Sequence, residues 1–196
     1  MSLTHRIPIP AVFLDRDGTI NEERGHIWKP KDLVLLSGAA TAIRHLNQSE
    51  YLTVLVTNQS VIARGKCTEA GMQEIHNRLQ ALIAEEGASI DQIYYCPHYP
   101  DKKIPGGRED LKIVCDCRKP EPGLIMRAAK DLNIDLSLSW MIGDMPSDIE
   151  AASRAGIRSI LLDNQDVFDN QLPLSPDAKC MDLKDAVRFI LNYSKD

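Results

Sequence analysis

Four short apolar runs, each closed by a polar residue, constrain this chain more than any other feature. Ala11-Val12-Phe13-Leu14 ends at Asp15, and Leu52-Thr53-Val54-Leu55-Val56 ends at Thr57. Trp140-Met141-Ile142 runs into Gly143-Asp144, and Ser159-Ile160-Leu161-Leu162 into Asp163. A strand with one face in water alternates apolar and polar residues. A run that does not alternate needs burial on both faces, as in a parallel sheet covered by helices. Helical patterns fall between the runs, over residues 39–46, 69–86, 122–132 and 148–155. Strand alternating with helix predicts a doubly wound α/β fold. The 196 residues suit one domain, 1–196.

In an open parallel sheet, ligands bind beyond the carboxyl ends of the strands. Asp15, Thr57 and Asp144 are therefore expected to meet in one crevice. The chain carries 23 Lys and Arg against 28 Asp and Glu, a net charge of −5. That balance supports neither a nucleic-acid surface nor a polybasic membrane patch, so an anionic ligand has to be held by local donors. No apolar run approaches the roughly 18 residues of a membrane span. Residues 1–10 contain no apolar core of signal-peptide length, and Met1-Ser2-Leu3 is compatible with a vector remnant. A cytoplasmic address and a monomer are the default expectations.

Asp15-Arg16-Asp17-Gly18-Thr19 places two carboxylates two residues apart where a strand ends. A carboxylate is a competent nucleophile toward phosphorus, and a second one nearby can serve as acid and then as base. Mg²⁺, which binds through one or two carboxylates plus substrate phosphate, would balance their charge. Read alone, the same residues could equally be a turn in which Asp and Gly serve the backbone. Thr57-Asn58-Gln59-Ser60 offers hydroxyls and amides to phosphate oxygens, and Arg118-Lys119-Pro120 adds two cations before a predicted helix. Gly143-Asp144 and Asp148 supply further carboxylate for a metal.

Taken in order, Asp-x-Asp, Thr, Lys and Asp resemble the four motifs of the haloacid dehalogenase superfamily. The resemblance narrows further. Residues 13–21, Val56-Thr57-Asn58-Gln59-Ser60 with Ile62-Ala63-Arg64-Gly65, Tyr94-Tyr95-Cys96-Pro97-His98 and Cys115-Asp116-Cys117-Arg118-Lys119-Pro120 look like the heptose 1,7-bisphosphate phosphatase family. The related histidinol-phosphate phosphatases share most of these blocks. The resemblance covers about residues 10 to 163 and implies a Rossmannoid sheet with no large cap domain. It also implies Mg²⁺-dependent hydrolysis of a small sugar phosphate through an aspartyl-phosphate. By the same resemblance Asp15 is the nucleophile and Asp17 the acid/base, while Thr57 and Lys119 stabilise the phosphoryl group. Asp15, Asp144 and the backbone carbonyl of Asp17 hold Mg²⁺. Arg118, Asn58, Gln59 and Ser60, with Glu23, Arg24, Gly25 and His26 after the first motif, contact substrate.

Two positions depart from the family. Val61 stands where it has Gly after Asn-Gln-Ser, and Met145 where it has Lys after the last motif Asp. The second removes a phosphate-contacting cation, which leaves the anomer open and keeps histidinol phosphate or another sugar phosphate as alternatives. A different class, a non-catalytic zinc-bearing binding module on the same fold, is disfavoured because every motif residue is intact.

Cys96-Pro97-His98 and Cys115-Asp116-Cys117 lie sixteen residues apart, in a stretch rich in Pro, Gly and charge. Three thiols and an imidazole form one of the usual tetrahedral sets for structural Zn²⁺, and a full set leaves no open position for catalysis. The alternative is three buried cysteines and a surface histidine. A zinc-stapled loop over about 96–117 is expected. His5, His26, His45 and His76 show no ligand partners in sequence, with His45 and His76 expected on helix surfaces. Cys67 and Cys180 read as ordinary small residues.

Overall fold

The computed structural model describes residues 7–101, 105–163 and 174–193. Met1-Ser2-Leu3, His5 and residues 102–104 of the expected zinc loop lie outside them.

Among the described residues, six strands form one parallel sheet: β1 (Ala11–Leu14), β2 (Leu52–Asn58), β3 (Gln92–Cys96), β4 (Trp140–Gly143), β5 (Arg158–Leu162) and β6 (Ala178–Cys180). Their spatial order is β3-β2-β1-β4-β5-β6. The chain builds outward from β1 to β3, returns to place β4 beside β1, and then builds outward on the other side. The order therefore reverses between β1 and β4, where a ligand crevice opens at the carboxyl ends. The register pairs Phe13 with Val54 on one side and with Met141 on the other.

The continuous apolar runs have the predicted cause. Val12 and Leu14 point to one face and pack with residues of α1 (Ala39–Asn47), α2 (Glu69–Ala84) and α5 (Leu183–Tyr193). Ala11 and Phe13 point to the other face and pack with residues of α3 (Gly123–Leu132) and α4 (Pro146–Ala155). All four strand residues are fully buried, each large one contributing about 1.5–3 kcal/mol by leaving water. Helix α5 buries Leu183, Ala186, Val187 and Ile190, the spacing of one helical face. Among the described residues, no helix is long and apolar enough to cross a membrane.

The four predicted helices are present with shifted ends: α1 extends to Asn47, α2 stops at Ala84, and α4 begins at Pro146. Strands β3 and β6 lack the continuous apolar signature because they lie at the two sheet edges. Helix α5 was legible from its apolar spacing but was not among the predicted elements. His45 is exposed, as expected, but His76 is not: it is 2% exposed, with its ring 5.4 Å from that of Tyr95. It shares its buried face of α2 with Met72, Ile75 and Leu79, so its neutral ring is covered along with them.

Candidate active site

Asp15 directly follows β1, Thr57 lies near the end of β2, and Asp144 directly follows β4. All three line one cavity of about 410 Å³ at the switch point of the sheet. Asp17, Asn58, Gln59, Ser60, Arg118 and Lys119 line it too, as do Glu23, Gly25 and His26. Arg24 does not. Its exposed fork turns back onto the Glu22 carboxylate two residues earlier, at 2.7 Å.

At the floor of the cavity sits a buried ion cluster. Lys119 Nζ contacts Asp15 Oδ1 at 2.7 Å and Asp148 Oδ1 at 2.6 Å, and donates to the Val56 carbonyl at 2.9 Å. Lys119 and Asp148 are only 4% and 1% exposed. Burial alone would push the lysine pKa down, but the carboxylates of Asp148 and Asp15 hold it above its ordinary value. Asp148 stands in the first turn of α4, where its Oδ2 accepts from the Met145 N–H at 3.1 Å. One carboxylate thus caps the helix and anchors the lysine. The Lys119 backbone is clamped as well: Asn58 Oδ1 accepts its N–H and Asn58 Nδ2 donates to its carbonyl, both at 3.0 Å. Sequence motifs do not show these two supports, because they depend on where β2 and the segment before α3 meet.

The approach to Asp144 is close enough to require glycine. A Cβ on Gly18, whose φ is +78°, would lie 2.0 Å from Asp144 Oδ2. Gly143 is equally tight, since its Cβ would lie 2.2 Å from Asp148 Oδ2. These two glycines let the first-motif turn and the β4 end press their carboxylates together.

That crowding leaves negative charge uncompensated. Ligand oxygens of Asp15, Asp144 and Asp148 all lie within 4.8 Å of one another. Burial, then Asp15 and Asp148 beside it, push Asp144 up to about 8. Asp15 is raised to about 6, mainly by burial, with Lys119 pulling the other way. Asp144 Oδ1 is buried and has no hydrogen-bond partner among the described residues. A divalent cation would answer both the charge and the unpartnered oxygen, and the all-oxygen donor set suits Mg²⁺. Asp148 has both oxygens engaged, Oδ1 by Lys119 and Oδ2 by the Met145 N–H, whereas Lys119 holds only Oδ1 of Asp15, so Asp15 and Asp144 are the carboxylates with an oxygen left to face a cation.

Asp17 points its carboxylate elsewhere, into an Arg16 fork with Asn21 and Gln59 as further donors. Burial alone would raise its pKa, but Arg16 and these two donors bring it below the ordinary carboxylate value. Gln59 Nε2 also reaches Thr57 Oγ1 at 2.9 Å, linking the first two motifs.

Beside this cavity the predicted zinc ligands converge. Cys117 Sγ lies 3.2 Å from Cys96 Sγ, 3.3 Å from Cys115 Sγ and 3.3 Å from His98 Nδ1. Cys96 Sγ lies 3.6 Å from both Cys115 Sγ and His98 Nδ1. A tetrahedron built on Zn–S bonds of about 2.3 Å has edges of about 3.8 Å, so the sulfurs, 3.2–3.6 Å apart, need to spread by only about half an ångström to hold zinc. Bonds from Cys96 and Cys115, against the opposing effect of burial, bring the Cys117 thiol down to about 5. Arg118 follows the last of these residues and donates to the His98 carbonyl at 3.0 Å. Its guanidinium also lies 5.1 Å from the Tyr99 ring centre, and Arg64 lies 4.2 Å from the same ring.

The chain is similar to known proteins in both sequence and fold. A family model described as HAD-hydrolase-like matches residues 116–186. The D-glycero-beta-D-manno-heptose-1,7-bisphosphate 7-phosphatase of Escherichia coli O6:H1 is 37% identical over 188 residues, covering 96% of this chain and 92% of the relative. The protein of the same name from Photorhabdus laumondii is 44% identical over 154 residues, covering 79% and 80%. The crystal structure of D,D-heptose 1,7-bisphosphate phosphatase from B. bronchiseptica superposes with a TM-score of 0.82 at 30% identity, covering 94% of this chain and 99% of that one. It was solved with magnesium and phosphate.

Proposed function

This chain belongs to the heptose bisphosphate phosphatases of the haloacid dehalogenase-like hydrolases, and from that premise we propose that it removes the 7-phosphate of D-glycero-D-manno-heptose 1,7-bisphosphate. The observation that carries the reading is the Asp15–Lys119 pair, buried in one cavity with an unpartnered Asp144 oxygen and a separately held Asp17. Asp15 attacks phosphorus while Asp17, ionised at rest and taking up a proton as the anionic substrate binds beside it, gives that proton to the departing sugar oxygen, so the P–O bond breaks as the aspartyl-phosphate forms. Water then attacks that phosphorus, with Asp17 taking its proton, and Asp15 is restored. Lys119 and the Thr57 hydroxyl meet the phosphoryl oxygens, where charge develops. Asn58, Gln59 and Ser60 line the same wall, and Arg118 with Glu23, Gly25 and His26 flank the sugar. Mg²⁺, held by Asp15, Asp144 and the Asp17 carbonyl, would neutralise phosphoryl charge when bound. A structural Zn²⁺ on Cys96, His98, Cys115 and Cys117 would staple the loop that presents Arg118 and Lys119. The protein is read as a cytoplasmic monomer with a single phosphatase domain over 1–196.

Phosphate release with Mg²⁺ from both anomers of the heptose bisphosphate, from histidinol phosphate and from p-nitrophenyl phosphate tests this. The bisphosphate should be the best substrate, and Asp15→Asn should abolish release from all of them. Faster turnover of histidinol phosphate would move the assignment there. No release from any phosphomonoester would leave only the non-catalytic, zinc-bearing binding module.

A further inference from the structure

Arg16 sits between the two motif carboxylates in sequence, yet it is fully buried and does not line the cavity. Its guanidinium makes three contacts to Asp17: Nε to Oδ1 at 3.1 Å, Nη2 to Oδ1 at 2.9 Å and Nη2 to Oδ2 at 2.8 Å. The remaining terminal nitrogen, Nη1, points at the Met72 thioether, 3.5 Å away on α2. Taking a guanidinium wholly out of water costs several kcal/mol before its partner repays any of it. A turn does not require that expense, since Asp and Gly make turns without it.

Asp17 is correspondingly saturated. Beyond Arg16, its Oδ1 accepts from Asn21 Nδ2 at 2.9 Å and its Oδ2 from Gln59 Nε2 at 3.0 Å. A carboxylate offers about four lone-pair sites, and these contacts occupy them. For Asp17 to exchange a proton with a substrate oxygen, one contact has to yield. Gln59 lines the cavity and is shared with Thr57, whereas Arg16 lies behind the carboxylate, away from the cavity. The Gln59 contact is therefore the one a substrate can displace, while the Arg16 fork stays.

We propose that Arg16 is the positioning residue of the acid–base group: its buried fork fixes the Asp17 carboxylate toward the cavity, and Oδ2, which keeps its Arg16 contact when the Gln59 contact yields, meets the leaving-group proton. This rests on Asp17 being the acid–base group. The proton moves from that oxygen to the sugar oxygen as the P–O bond breaks, and Arg16 itself exchanges none.

The test compares kcat/KM for an alkyl phosphate, the heptose bisphosphate, with that for p-nitrophenyl phosphate, whose leaving group needs no proton. Arg16→Gln should lower the alkyl value roughly 10²-fold, the scale of a misplaced catalytic group. The aryl value should fall less than about fivefold, because acid assistance matters little there. In an Asp17→Asn background the Arg16 substitution should add nothing further. Arg16→Lys keeps the charge without the fork and should show the same substrate dependence at a smaller size. It carries the test if Arg16→Gln does not fold, with thermal midpoint and retained zinc as the checks on folding. Equal losses on both substrates, or none, would overturn the inference while leaving Asp17 in place. If Asp17→Asn spares the alkyl-to-aryl ratio, the acid–base assignment is what fails, and the role of Arg16 falls with it.

Discussion

Proton competition at Asp144 should make the proposed Mg²⁺ binding steeply pH-dependent. In the metal-free protein the Asp144 carboxyl is pushed up to about 8 by burial and by its neighbours Asp15 and Asp148. Its folded value lies above the unfolded one, so the metal-free native state keeps a proton that the unfolded chain has released. The stability this contributes is fully present below about pH 4 and is lost as pH rises through about 8. Mg²⁺ needs the ionised form, so its affinity should rise across the same interval. With a free value of about 8, roughly half of Asp144 is ionised at pH 8 and about 1% at pH 6. Affinity should therefore fall about 50-fold between the two, or about 2.3 kcal/mol. Asp15, raised to about 6, adds about a further factor of two at pH 6. His76, held down to about 4 by burial and by Arg16, is neutral across this range and does not contribute. Calorimetric Mg²⁺ titration at pH 6, 7 and 8, without chelator, measures the slope. Repeating it in buffers of different ionisation heat counts the protons released, expected near one per ion at pH 7. Asp144→Asn should bind more weakly and with a much shallower slope. An affinity constant over pH 6–8, or an Asp144→Asn variant with the wild-type slope, would refute the charge argument.

Two other outcomes are expected. Cys117→Ser should lose about one zinc per chain by elemental analysis while the sheet stays folded by circular dichroism. Its KM should rise about tenfold, the scale of a charge-assisted hydrogen bond such as that from Arg118 to the His98 carbonyl. Met145→Lys should tighten binding of the bisphosphate by several-fold relative to a monophosphate, since Met145 lines the cavity at 48% exposure. The gain should shrink at high salt because an exposed charge is screened, and equal effects on both substrates would place residue 145 away from the second phosphate.

The parts of this molecule that were legible in sequence are those where one local pattern determines the outcome. Ala11–Leu14 has no polar residue to turn to water, so it had to be a central strand, and the register confirms its two neighbours. The edge strands β3 and β6 were not legible in this way. Gln92-Ile93-Tyr94-Tyr95-Cys96 is only partly covered, and its mixed composition carries no clear period. His76 misled for a related reason: a polar type on a helix suggests solvent, but the Tyr95 ring covers it. At the site, motif spacing identified Asp15, Asp17, Thr57, Lys119 and Asp144, all of which line the cavity, because each lies at or just beyond the end of a strand or before a helix. It could not identify what holds them. Asn58 clamping Lys119 spans 61 residues, and Asp148 reaching Lys119 joins the start of α4 to the segment before α3. Such contacts depend on which segments the sheet order brings together. A substitution at Asn58 or Arg16 should therefore act on the chemistry through Lys119 or Asp17, although neither change alters the Asp-x-Asp, Thr, Lys, Asp pattern.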